Sequence, residues 1–173
     1  MIRALAAALV LSALAVSPSA AQAGRVDMDR FDGRWFEVAR SPNDIQRDCS
    51  RSQIDFTAQG RAHRYGVLVT CTRRADGETE LLRANARVTD PGVNTSLRFT
   101  LTGLLSFGGL AGQTYRIVDR APDYGWAILA LPDRSDWWIW HRSQTPSAAV
   151  REQLLGRARA AGLDTGRVVH TGR

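Results

Sequence analysis

The segment Glu80–Thr89, ELLRANARVT, sets Leu82, Ala84, Ala86 and Val88 against Arg83, Asn85 and Arg87. Such a period of two is the signature of a strand with one buried and one wet face. A strand of this kind cannot stand alone; it needs neighbours and a core on one side. The same alternation recurs in Thr95–Leu101, TSLRFTL, where Leu97, Phe99 and Leu101 oppose Ser96, Arg98 and Thr100. Other β-type runs cover 35–40, 53–57, 63–72, 114–119, 126–131 and 137–142, with turn signals such as Ser41-Pro42-Asn43-Asp44, Gln59-Gly60, Asp76-Gly77 and Asp90-Pro91-Gly92 between them. Eight short strands followed by one helix predict an all-β, antiparallel barrel or sandwich with the helix packed outside.

The helix is read from its ends and its stripe. Thr145 is a good N-cap, Pro146 suits the first helical position, and Gly162 suits a left-handed C-terminal stop. Val150, Leu154, Leu155, Ala158 and Ala161 form one apolar stripe, which the outer face of the sheet would cover.

Eight strands close a barrel whose interior is either just filled or holds one small ligand. Ala84 and Ala86 on the inner face favour the second case. The aromatic run Trp137-Trp138-Ile139-Trp140 fits a strand buried on both faces, with Trp138 and Trp140 inward and Trp137 and Ile139 under the helix.

The leader is expected to lie outside the fold. Arg3, the apolar run Leu5–Val16, Pro18 and the small-x-small Ala21-Gln22-Ala23 make residues 1–23 a secretory signal peptide. The run is short for a transmembrane helix, which needs about 20 apolar residues. There is no Cys near the expected cut, so the sequence gives no lipid-attachment site. Of 173 residues, removing 23 leaves 150 for a single domain spanning 24–173. The expected location is periplasmic or secreted. All 23 basic residues are Arg and the chain carries net +6. A solvated basic surface explains this, as does peripheral contact with an anionic envelope surface. Nucleic acid is not expected, because the Arg residues are dispersed.

The two cysteines, Cys49 and Cys71, fall opposite each other if the hairpin turns on Gly60, which puts them in disulfide range. Two reduced buried thiols are the alternative. Three scattered His residues and two Cys make no metal set, so no metal or cofactor is expected. No G-x-S-x-G occurs, and SFGGLAG lacks the Lys-Ser/Thr ending of a phosphate loop; a flap at the barrel mouth is its expected role. No catalytic residue is assigned.

Three stretches together resemble the motifs of the lipocalin family, and of its bacterial outer-membrane and apolipoprotein D-like members in particular. FDGRWFEVAR resembles the first motif in Gly33-Arg34-Trp35, APDYGWAILAL the second in Asp123-Tyr124, and WWIWHRSQTP the third in Arg142. The resemblance implies an eight-stranded antiparallel up-and-down β-barrel with a C-terminal helix. It implies that Trp35 closes one end with Arg142 across its ring, Gly33 giving the chain room. It also implies a carrier or sequestering protein for a small hydrophobic molecule, of fatty-acid or lysophospholipid class. By alternation the ligand-facing candidates are Ile54, Phe56, Leu82, Ala84, Ala86, Leu97, Phe99, Tyr115, Ile117, Ala127, Leu129 and Trp138, for each of which plain core packing is the alternative. Arg116 is expected near the rim. Glu37 shares the parity of Trp35 and would face inward, where a carboxylate needs a partner the sequence does not name. A barrel-shaped enzyme acting on a small lipid, and a solidly packed adaptor, are the competing readings.

Overall fold

The computed structural model describes residues 24–102 and 112–172. The expected leader and most of the glycine-rich SFGGLAG segment lie outside the described residues. The chain runs from a one-turn helix α1 (Met28–Phe31) into β1 (Gly33–Arg40), β2 (Cys49–Ala58), β3 (Arg64–Arg73), β4 (Thr79–Val88), β5 (Ser96–Leu101), β6 (Gln113–Arg120), β7 (Trp126–Ala130) and β8 (Trp137–His141). Helix α2 (Ala148–Ala160) and a two-residue β9 (Val169–His170) follow. Every neighbouring pair from β1 to β8 is antiparallel, and β8 pairs with β1 to close the barrel. β1 pairs with β2 only from Gly33 to Phe36; farther along, Ala39 and Arg40 pair with β9 instead.

Alternation builds two cores. Inside the barrel, Trp35, Ile54, Phe56, Val67, Ala84, Ala86, Leu97, Ile117, Ala127, Leu129, Trp138 and Trp140 pack together. Outside, Leu154, Leu155 and Ala158 of α2 cover Val38, Ala39, Ile128, Ala130, Trp137 and Ile139. The helix ends in a Schellman motif: Leu163 N–H reaches Ala158 O at 3.1 Å, Gly162 N–H reaches Arg159 O at 2.9 Å, and Gly162 has φ +78°. The N-cap is Ser147, not Thr145; its side chain accepts from Val150 N. Pro146 therefore precedes the helix, and its carbonyl accepts from Arg151 Nε.

Cys49 and Cys71 form a disulfide with Cα atoms 5.4 Å apart. The expected register is corrected: Cys71 faces Ser52 and Cys49 faces Arg73, with a bulge between Cys49 and Arg51. The hairpin turns beyond Gly60, because both Gly60 and His63 take positive φ, and the crosslink is diagonal.

One end of the barrel is shut by the clasp the resemblance implies. Trp35 is fully buried and packs against Phe31 of α1, ring centres 5.0 Å apart and the planes tilted by 38°. The Arg142 guanidinium lies 3.7 Å from the Trp35 ring centre. It also donates to the carbonyls of Arg34 (2.7 Å), Arg30 (2.8 Å) and Asp32 (2.9 Å). Gly33, at φ +100°, passes so close that a Cβ would lie 3.3 Å from Arg142 Nη1.

Candidate functional site

The opposite end holds a cavity of about 110 Å³ inside the barrel. Its wall is apolar and aromatic. Ile54, Leu82, Ala84, Phe99, Tyr115 and Trp138, all expected from alternation, line it. The other six candidates, Phe56, Ala86, Leu97, Ile117, Ala127 and Leu129, are packed below it in the inner core. Ala86 shows why. It sits between Tyr65 and Phe99 on the flanking strands. Phe56 stacks on Tyr65 at 4.8 Å and approaches Phe99 at 6.3 Å, so neighbouring rings fill the space a small residue leaves. Trp140 of β8, read as inward, lines it too, as do Val67, Val69 and Leu101, whose signal the parity of β3 and β5 contains. Arg116 is exposed and is not among the residues that line the cavity.

Glu37 faces inward, as its parity with Trp35 implies, but its partners in the polar wall were not legible. Glu37 lines the cavity, is buried to 1% exposure, and pairs with Arg40 Nη1 at 2.6 Å. On a regular strand, residues three apart face opposite ways. The register of β1 against β8 shifts between Glu37 and Ala39, so Val38 and Ala39 both join the outer core and Arg40 turns inward beside Glu37. Arg40 also donates to the carbonyls of Gln46 and Cys49. Gln46, from the segment joining β1 to β2, completes the cluster. Its Nε2 donates to Glu37 Oε2 at 2.6 Å and to Ser52 Oγ at 3.1 Å, and its Oε1 accepts from Trp138 Nε1 at 2.6 Å. Burial pushes the Glu37 carboxyl up, against the pull of Arg40 and Gln46. Burial likewise pushes the Tyr115 phenol up to about 12.

A larger concavity, about 920 Å³, lies outside the barrel at the closed end. Arg25, Arg30, Arg61, Arg64 and Arg120 line it, with Asp27 and Asp29 the acidic groups. Arg30 and Arg120 each place a guanidinium 4.5 Å from the Tyr124 ring centre, and the Tyr124 hydroxyl accepts from Asp27 N at 2.7 Å. Among the described residues, no group of three or more His, Cys, Asp or Glu could hold a metal ion. Both cysteines are engaged with each other, so neither is a thiol nucleophile.

An eight-stranded antiparallel barrel closed by a Trp–Arg clasp and flanked by a C-terminal helix defines the class, and residues 26–173 match the model of the lipocalin-like domain. The chain belongs to the lipocalin family. It is 23% identical over 150 residues to temperature-induced lipocalin-1 of Arabidopsis thaliana, covering 84% of this chain and 78% of that one. It is 23% identical over 143 residues to the outer membrane lipoprotein Blc of Escherichia coli K12, covering 83% and 77%. Among solved structures it resembles apocrustacyanin C2 with a TM-score of 0.65 at 15% identity, covering 84% of this chain and 78% of that one. Insecticyanin of the tobacco hornworm Manduca sexta gives 0.64 at 15%, covering 89% and 84%. At these identities the structural likeness speaks for the fold.

Proposed function

We propose that this protein binds a small hydrophobic molecule inside its barrel and carries or sequesters it. The observation that carries this reading is the interior cavity itself: aliphatic and aromatic walls from six strands, with a few polar groups gathered on one side, which is the usual make-up of a small-molecule site. Transfer of apolar ligand surface from water would stabilise the complex by roughly 25 cal/mol per Å², less the cost of association. We further propose a ligand of lipid class, an exported protein formed by residues 24–173, and peripheral contact with anionic envelope surface through the arginine-lined cleft at the closed end. In that arrangement the cleft would face the surface while the cavity opens away from it.

Ala84→Trp tests the barrel site. Ala84 lines the cavity at 7% exposure, so an indole there would occupy the ligand's space. A neutral fluorescent probe such as N-phenyl-1-naphthylamine should bind the unaltered protein and be lost, by more than about tenfold in affinity, from a folded Ala84→Trp variant. Unchanged probe binding would overturn the assignment. Native mass spectrometry of protein from its own host reads the ligand class, and flotation with anionic against zwitterionic vesicles reads the surface contact.

A further inference from the structure

The cavity is small for a ligand site: about 110 Å³ against the roughly 300–1,000 Å³ usual for such pockets. Gln46 forms part of its wall, and what its side chain touches is informative. An indole N–H only donates, and a carboxylate with both oxygens engaged only accepts. The carboxamide oxygen must therefore face Trp138 Nε1 and its nitrogen must face Glu37 Oε2, each at 2.6 Å. The backbone of the same residue is held independently. Its carbonyl accepts from Arg40 and from Cys49 N, and its N–H donates to Asn43 Oδ1. The disulfide at Cys49 fixes the end of the segment. Rotation of this side chain away from the wall would thus need no movement of the chain, and would leave three unmatched groups: acceptors at Glu37 Oε2 and Ser52 Oγ, and a donor at Trp138 Nε1.

We propose that Gln46 occupies the place of the ligand's head group, and that the ligand therefore bears a neutral head with a donor and an acceptor side by side, of carboxamide type. This rests on the reading of the barrel as the ligand site and sharpens its chemistry. A carboxamide reproduces the bonds of Gln46, its two N–H groups serving Glu37 and Ser52 and its oxygen accepting from Trp138. A carboxylate can accept from Trp138 but offers Glu37 a second negative charge and no proton. An undissociated carboxylic acid presents the same pattern as an amide, and pH separates the two, because at pH 8 the acid is ionised.

The test is displacement of N-phenyl-1-naphthylamine at pH 8 by dodecanamide, N,N-dimethyldodecanamide and dodecanoate. Dodecanamide should bind roughly 10- to 100-fold more tightly than the other two, the span expected for one hydrogen bond to a charged group. Gln46→Ala should raise the affinity for dodecanamide by about threefold or more, because the competing side chain is gone. Glu37→Gln, with its fold checked by thermal unfolding, should reduce the gap between dodecanamide and dodecanoate, because the negative charge that disfavours the carboxylate is gone. Equal or tighter binding of dodecanoate, or weaker dodecanamide binding by Gln46→Ala, would overturn the head-group assignment and leave the barrel site standing. Failure of the naphthylamine probe to enter at all, or its unchanged binding to Ala84→Trp, would remove the barrel site and this inference together.

Discussion

Arg142→Ala should cost about 3 kcal/mol of folding stability. The side chain makes three short bonds to carbonyls of the α1–β1 segment, at 2.7, 2.8 and 2.9 Å, and lies 3.7 Å from the Trp35 ring centre. A net intramolecular hydrogen bond contributes about 1 kcal/mol, and more when one partner is charged. The cation–π contact adds about 0.5–2 kcal/mol. The full sum would be about 4–5 kcal/mol, but Arg142 is half-exposed and water can reach part of what it leaves, which brings the expectation down to about 3 kcal/mol. For a domain of this size that is a fall of roughly 6–12 °C in Tm. Arg142→Lys keeps the charge and loses the fork, so it should fall between wild type and Arg142→Ala. Urea unfolding of both variants measures this, with Arg116→Ala as an exposed control expected within about 0.5 kcal/mol of wild type. Probe affinity of the folded fraction should be unchanged, because the cavity is at the other end. An Arg142→Ala loss no larger than that of Arg116→Ala would refute the clasp, and a loss of affinity at full stability would refute the separation of the two ends.

Reducing the disulfide, or replacing both cysteines by Ser, should lower stability by about 3 kcal/mol on the loop-closure model, the closed loop having a sequence separation of 22; unfolding with and without reductant reads it, and no difference would count against the model. Glu37 gives a pH signature. Its folded carboxyl titrates above its ordinary 4.5 because burial outweighs Arg40 and Gln46, so its contribution is full below about 4.5 and is lost as pH rises through the folded value. The stability of wild type relative to Glu37→Gln should therefore fall from pH 4 towards 8, by at most about 1.4 kcal/mol per pH unit. A difference that stays flat or rises would contradict the sign.

The strands were legible because one face of the sheet is wet. In ELLRANARVT polar and apolar positions separate cleanly, and the observed β4 follows them from Thr79 to Val88. β1 offers no such contrast. Trp35 points into the barrel while Val38 and Ala39 lie under α2, so both faces are apolar and the bulge that reverses the parity leaves no trace in the pattern. The disulfide was legible from the hairpin, but its register was not. His63 at φ +62° extends the turn, and such a conformation is uncommon outside Gly. Six inward residues could not be sorted from the six at the cavity by alternation, which gives the face of a residue but not its height along the barrel. The small size of Ala86 is offset by rings from β2, β3 and β5, a property of three strands at once. Gln46 belongs to no periodic segment, so nothing local marked it.

Glu37 and the partners that alternation missed, Arg40 and Gln46, are the ones that stability alone does not explain. A buried ion pair is a weak source of stability, since desolvation offsets much of its Coulombic gain. Arg40 Nε is moreover buried without a hydrogen-bond partner. Apolar side chains at 37 and 40 would pack the open end with neither problem. Local pattern, packing and polar satisfaction agree nearly everywhere else in this barrel, and a site where they part company is where function is to be sought. Here the departure begins with one bulged position in β1 and ends in a cavity wall with an acceptor, a donor and a removable side chain between them.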